Sequence, residues 1–249
     1  MKSNRIAAAV ILLCLTQTFG CGSDGENNTT IITPSSNSAS MKGLWVGRQG
    51  TVTTSAIVLA DGDSWMVLQE SGVTSRFAHI KMTSNGNSFG GSGKLYSLAT
   101  GTSDIISAGG AFVEKQSLSA IIKGENNISP IDTTKFELAY DTQYETTANI
   151  NDLNGSWKGT SDNNSASRTM TITAGAVTGT STTGCTYTGT VKNRITDKAL
   201  FDLGLTETCQ GTSNTFTGIA TVNAAKSAVS FTASTTDDKE GIIFMGAKQ

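Results

Sequence analysis

Gly43-Leu44-Trp45-Val46-Gly47 and Gly155-Ser156-Trp157-Lys158-Gly159 are two copies of one pattern, Gly-x-Trp-x-Gly, set 112 positions apart. Each copy opens a stretch of chain in which apolar and polar residues alternate, as they do in half-buried β-strands. Repetition over this distance in a chain of 249 residues predicts two domains. Each would contain about a hundred residues, which is enough to bury a core.

The composition favours strands over helices. Thr, Ser, Gly and Asn are abundant, Pro occurs only twice, and charged residues make up 15% of the chain. Such a balance is typical of short strands joined by tight turns. We therefore predict an all-β protein with two small antiparallel up-and-down β-barrels in tandem, each of about eight strands. Closure into a barrel removes the sheet edges that would otherwise invite aggregation.

The first barrel is predicted over residues 41–149. Asp61-Gly62 is a strong signal for a hairpin turn. In the segment 135–140, Phe136 and Leu138 fall on one face and Lys135 and Glu137 on the other, as expected for a half-buried strand.

The second barrel is predicted over residues 150–249, where Met170 and Ile172 alternate with polar residues and the connections are short. Cys185 and Cys209 each stand an even number of positions from large apolar residues of their strands, so we expect both side chains to face inward with those residues. In an oxidising compartment we expect them to form a disulfide, which closes a loop of about 25 residues and stabilises by about 3 to 4 kcal/mol on the chain-entropy model.

One strand breaks the alternation. Trp65, Met66, Val67 and Leu68 are consecutive apolar residues, so both faces of their strand are apolar. The outer face is covered by the second domain or by the N-terminal tether, or else Trp65, Met66 and Leu68 form an apolar patch that faces a partner.

The N-terminus has the pattern of a secretory signal. Lys2 and Arg5 precede an apolar run over 6–15, which is too short to remain as a spanning helix. We predict a cleaved signal peptide over 1–20 and a disordered, polar tether over 21–40.

Thr18-Phe19-Gly20-Cys21 resembles the lipobox of bacterial lipoproteins, in which the Cys receives a diacylglycerol. It departs from that pattern where Thr18 replaces Leu and Phe19 replaces a small residue. Lipidation of Cys21 also accounts for the cysteine left over from the disulfide, and ordinary cleavage after Gly20 is the alternative. Gly22 is not the Asp that retains lipoproteins in the inner membrane, so the resemblance implies an outer-membrane lipid anchor, facing either the periplasm or the outside.

The repeated Gly-x-Trp resembles the first strand of the lipocalin and calycin barrels, where the Trp closes one end of the barrel. A second resemblance is to proteobacterial outer-membrane lipoproteins with two such halves, the second carrying Gly184-Cys185-Thr186-Tyr187-Thr188-Gly189 and the late Cys209. These resemblances imply that Trp45 and Trp157 are structural plugs. They imply an architecture and a location rather than an activity.

The residues do not point to a reaction. Without the leader the chain has 16 basic and 20 acidic residues and no basic run, which argues against nucleic-acid binding. His79 is the only histidine, so a His-based metal site is excluded by count, and no Gly-x-Ser-x-Gly motif accompanies it. We expect no cofactor, no metal and no enzymatic activity.

The sequence is compatible with three functions. The first is a non-enzymatic binding or scaffolding module for an envelope protein partner. The second is a calycin-like carrier that holds a small apolar ligand within a barrel. The third is a hydrolase of envelope polymers, whose acidic residues would come from distant parts of the chain.

Overall fold

The computed structural model describes residues 40–125, 134–161, 166–194 and 197–249. The predicted signal peptide, the tether up to residue 39 and the predicted lipidation site Cys21 lie outside these residues. Within them no helix is both long and apolar enough to cross a membrane.

The described chain forms two closed antiparallel barrels of eight strands, so the predicted fold class is confirmed. The first barrel contains β1 (Gly43–Gln49), β2 (Val52–Val58), β3 (Asp63–Glu70), β4 (Val73–Asn85), β5 (Ser88–Ser97), β6 (Thr102–Val113), β7 (Ser117–Gly124) and β8 (Thr134–Asp141). The second contains β9 (Gly155–Ser161), β10 (Ala166–Thr173), β11 (Ala176–Ser181), β12 (Thr186–Asn193), β13 (Phe201–Cys209), β14 (Thr212–Val222), β15 (Ala228–Thr235) and β16 (Gly241–Lys248). Two one-turn 3-10 helices, Thr142–Glu145 and Ile150–Leu153, connect the barrels.

Each barrel closes where its first strand pairs with its last, a junction that we call the seam. In the first barrel Trp45 on β1 lies opposite Tyr140 on β8. In the second, Trp157 on β9 lies opposite Lys248 on β16. The repeated pentapeptide therefore occupies the same place in both barrels.

Both repeated Trp side chains are fully buried in the core of their own barrel. The indole Nε1 of Trp45 donates a hydrogen bond to the carbonyl of Met41 (3.0 Å), and that of Trp157 to the carbonyl of Leu153 (2.8 Å). The bond satisfies the one polar group of each indole inside an apolar core. The repeat thus extends two residues further at its start, because Met41 and Leu153 stand four positions before the Trp and are also fully buried.

The last glycine of the pentapeptide is required by the seam. A Cβ on Gly47 would lie 2.3 Å from the carbonyl oxygen of Glu137 on β8. A Cβ on Gly159 would lie 2.0 Å from the carbonyl oxygen of Met245 on β16. Only glycine allows the first and last strands to come this close.

The interiors of both barrels are filled by side chains. Phe112 and Phe136 are among the buried residues of the first interior, and Phe201, Phe231 and Phe244 are among those of the second. This packing agrees with the small lumen of an eight-stranded barrel. The predicted disulfide is confirmed, with Cys185 and Cys209 Sγ atoms 2.03 Å apart.

Of the two interpretations of this strand, the exposed partner-facing patch is wrong, because Trp65, Met66 and Leu68 are at most 5% exposed. Met66 and Leu68 point into the core of the first barrel. Trp65 points outward, but it is covered by a third apolar cluster that contains residues of both barrels. The strand is apolar on both faces because one face lines the barrel and the other meets the second barrel.

We expect Gly159→Ala to lower the free energy of unfolding by about 1 to 3 kcal/mol. The new Cβ would collide with backbone atoms of β16, which cannot move without opening the seam. Gly204→Ala on β13 is the matched control, since its Cβ would find the nearest atom only at 3.8 Å. Chemical denaturation of both variants checks this, and equal stabilities would contradict the close approach at the seam.

Candidate functional site between the barrels

The outer faces of β1–β3 and β14–β16 meet between the barrels, and both barrels belong to one compact unit. On the first barrel, strand register places Leu44, Ile57 and Trp65 side by side in one row. On the second, it places Ile219, Thr232 and Ile243 in one row. These residues, except the polar Thr232, belong to the third apolar cluster, so the two rows form the dry contact between the barrels.

The aromatic residues Phe77 and Tyr96 extend this contact along the first barrel. Their rings are stacked with centroids 4.7 Å apart, and both are buried although they point out of their barrel. A Cβ on Gly241, the first residue of β16, would lie 2.4 Å from Cζ of Phe77 and 2.9 Å from Cδ1 of Tyr96. The missing side chain of Gly241 is thus what allows β16 to rest on the two rings.

An apolar cleft of about 270 Å³ lies beside the dry contact. Its wall on the first barrel includes the row Val46, Ser55 and Val67, and its wall on the second includes the row Thr221, Ser230 and Met245. Gln143 and Tyr144 of the connecting segment also line it. None of the described residues that line it carries a formal charge.

A histidine cluster, formed by His79, Asp63 and Asp238, ties the barrels together next to the cleft. The His79 ring is stacked on the Trp65 indole with centroids 4.1 Å apart. Its Nδ1 lies 3.0 Å from Oδ1 of Asp238 in the turn between β15 and β16. Its Nε2 lies 3.8 Å from Oδ1 of Asp63, which also accepts a bond from Lys81 (2.9 Å). No local pattern in the sequence marks His79 as an interface residue, because Asp238, which its Nδ1 faces, stands 159 positions away.

The pKa shifts in the histidine cluster favour a protonated His79 beside an ionised Asp63. Burial lowers the pKa of His79, but the nearby carboxylates of Asp63 and Asp238 outweigh that effect and leave the pKa raised. His79 and Lys81 lower the pKa of Asp63 to about 2 against the opposing effect of burial. His79 therefore lies between two carboxylates, one on each barrel, which favour its protonated form.

The histidine cluster does not have the geometry of a Ser-His-Asp triad. Ser234 Oγ donates to Asp238 Oδ1 (2.7 Å) and lies 3.4 Å from Nδ1 of His79, so the serine and the carboxylate approach the same ring nitrogen. A triad needs the serine on one nitrogen and a hydrogen-bonded carboxylate on the other. Asp63 lies on the side of the other nitrogen, but at 3.8 Å from Nε2 it is too far away to accept that hydrogen bond. Ser234 is also only 2% exposed, which leaves no room for a substrate carbonyl.

A second polar network, centred on the fully buried carboxylate of Asp197, joins the barrels near the connecting segment. Asp197 accepts bonds from the Tyr144 hydroxyl (2.6 Å), the backbone N–H of Ala60 (3.1 Å) and Nε of Arg194 (2.9 Å). Arg194 in turn pairs with Asp61 in the predicted Asp61-Gly62 turn of the first barrel (2.8 Å). The hairpin turn is therefore an attachment point for the second barrel.

A polar cavity of about 370 Å³ borders this network. Lys115 and Lys198 line it, and both form ion pairs with Glu145, at 2.7 and 3.2 Å. The Tyr140 hydroxyl donates to the same carboxylate (2.7 Å). The two lysines share one carboxylate, so this group carries one net positive charge, but both ammonium groups are already paired within the protein.

Two further groups lie inside or beside the second barrel. Arg168 is buried, and it donates to the Tyr187 hydroxyl (2.9 Å) and to the carbonyl of Ile243 (3.0 Å). Arg168 stands two and four positions before the inward-facing Met170 and Ile172, and this spacing was the signal in the sequence that it points inward.

Glu207 lies close to Cys185 and Cys209, but both sulfurs are bonded to each other in the disulfide and cannot also bind a metal as thiolates.

We expect Asp197→Ala to lower the free energy of unfolding by about 3 to 5 kcal/mol, because it leaves buried partners of the carboxylate uncompensated. Asp197→Asn retains an acceptor for Tyr144 and should cost clearly less. Denaturation curves, together with the rate of proteolysis in the connecting segment 142–154, check this. Unchanged stability and proteolysis in the Ala variant would show that the network does not join the barrels.

We expect the protein to lose stability as the pH rises above about 6.5. The pKa of His79 is raised in the folded protein, so the ion pairs of His79 stabilise the fold fully below its unfolded-state pKa. This contribution is lost as the pH rises through the folded-state pKa of His79. His79→Gln removes the only histidine of the chain, so the slope between pH 6 and 9 should flatten. Thermal unfolding across this range is the measurement, and parallel profiles for the two proteins would refute the role of the histidine cluster.

Comparison with known proteins adds no relative from which a function could be carried over. No protein-family model matches the chain, and neither the curated proteins nor the solved structures give a match. The function of the chain is therefore inferred from the geometry of the two barrels and of the cleft between them.

Proposed function

We propose that the protein is a non-enzymatic binding module of the bacterial envelope, held at the outer membrane by a lipid on Cys21, that recognises an envelope partner. The single observation that carries this proposal is the uncharged apolar cleft between two barrels that are fixed to each other. A concave apolar surface flanked by polar residues is typical of a recognition site.

The attachment of the barrels supports a binding role. The dry contact, the histidine cluster and the Asp197 network all connect the same two barrels. The walls of the cleft come from different barrels, so these connections hold the site in one shape before a partner arrives. A preformed site binds without the cost of ordering its walls.

The proposal places the protein among lipid-anchored relatives of the calycin barrels, with Trp45 and Trp157 as structural plugs. In this arrangement the anchor and tether supply the location, and the paired barrels supply the recognition surface. The alternative of a carrier with its ligand inside a barrel finds no support, because both interiors are filled by buried side chains. Asp63 and Asp238, the carboxylates of the histidine cluster, are paired with His79, so they do not favour the hydrolase alternative.

Site-specific photo-crosslinking in cells tests this function. A photoreactive residue replaces Met245 at the cleft or Ile121 on the outside of β7, two positions that are each 39% exposed. We expect a discrete envelope protein to be captured from position 245 and not from position 121, because only the first lines the cleft. The capture should disappear in the unanchored Cys21→Ser protein.

Two results would contradict the proposal. One is a set of crosslinks that is the same from positions 245 and 121. The other is the absence of any product above the Cys21→Ser background.

A further inference from the structure

The side chains that line the cleft indicate the chemistry of what it accepts. Along its first-barrel wall Val46 and Val67 flank Ser55. Leu44, Ile57 and Trp65 of the dry contact also border the cleft and continue its apolar surface. These side chains present carbon atoms, a hydroxyl and one indole to the cleft. An apolar molecule would gain by leaving water for this surface.

The polar amides in the lining are already engaged by the protein. Gln143 Nε2 donates to the carbonyl of Val222 (3.3 Å), and Gln69 Nε2 lies within reach of Thr74 and Met245. Asn223 Oδ1 accepts bonds from the backbone N–H groups of Ser227 and Ala228. What is left for a ligand is apolar surface and a few hydroxyl groups.

The lack of charge in the lining selects against charged ligands. A charged group that enters an apolar site without a partner loses its hydration and gains no ion pair in return. The ion-paired residues nearest the cleft, in the histidine cluster and the Asp197 network, are occupied with one another. A neutral molecule avoids this cost.

The volume sets the size of the ligand. An apolar protein cavity of roughly 150 Å³ accommodates benzene. The cleft, at about 270 Å³, is almost twice as large. It can therefore hold an apolar body of roughly ten or more carbon atoms, with the remainder of a longer molecule extending past Met245, which is 39% exposed.

We propose that the cleft between the barrels is a binding site for a small neutral apolar molecule, held between the outer faces of β1–β3 and β14–β16. This inference rests on the proposed binding function and names a ligand class for the same site. It differs from the carriers of the calycin type, because the ligand lies outside both barrels and each barrel contributes one wall.

The test uses two fluorescent probes that share one aromatic skeleton. N-phenyl-1-naphthylamine is neutral, and 8-anilinonaphthalene-1-sulfonate carries a negative charge. Titrated against the chain from residue 21 with Cys21→Ser, the neutral probe should bind at least about tenfold more tightly, since only the sulfonate must be desolvated without a partner. Equal affinities, or no binding of the neutral probe, would overturn the inference.

Two substitutions locate the site. Ser55→Phe fills the cleft from the first barrel and Ser230→Phe fills it from the second, so each should weaken binding of the neutral probe at least about tenfold. Ser107→Phe, on the outer face of β6 away from the cleft, is the matched control and should change the affinity less than twofold. Circular dichroism identifies a variant that fails to fold, in which case the substitution on the other wall decides. Undiminished binding to a folded filled variant would refute this location.

The probe experiment and the crosslinking experiment can fail separately. If the probe binds in the cleft and no protein is captured in cells, the ligand class stands and the protein partner does not. If a protein is captured from position 245 and the probe does not bind, the cleft receives a partner's surface and the small-molecule inference is wrong.

Discussion

The structure depends on the close approach of the first and last strands in each barrel. Gly47 and Gly159 lie against backbone carbonyls of the strand across the seam, at distances that exclude any side chain. Beside them each Trp fills the interior and uses its one polar atom on a carbonyl four residues earlier. The pentapeptide therefore combines close backbone contact, a large buried ring and a satisfied hydrogen bond. Without closure, both barrels would expose two strand edges.

Duplication of this unit creates a surface that neither barrel has alone. The residues that join the barrels point away from the barrel interiors, and they include buried aromatic residues such as Trp65, Phe77 and Tyr96. Stacking of His79 on Trp65 places a titratable group against the apolar contact, where carboxylates from both barrels favour its protonated form. The cleft follows from the same arrangement, because two convex barrels that touch along one pair of rows leave a concave space beside them.

The fold was largely predictable and the site largely was not. Alternation of apolar and polar residues, as in Met170 and Ile172, depends only on the two-residue period of a strand, so it can be read along the chain. The parity of Cys185 and Cys209 led in the same way to the disulfide. Trp65 was ambiguous because an apolar outer face has the same sequence pattern whether it meets another domain, a partner or a ligand. His79 gave no signal, since its partners Asp63 and Asp238 are recognisable only after the two barrels are docked.

The sequence by itself determined that the protein is all-β, that it contains two barrels and that each begins at a Gly-x-Trp-x-Gly strand. These properties follow from local periodicity, turn residues and repetition. Tertiary structure alone decided which outer faces meet, which carboxylates hold His79 and Arg194, and where an uncharged cleft remains. The physical reason is that contacts between barrels join residues such as His79 and Asp238, which are 159 positions apart. No local pattern encodes such a pair, because its geometry depends on the packing of the whole chain.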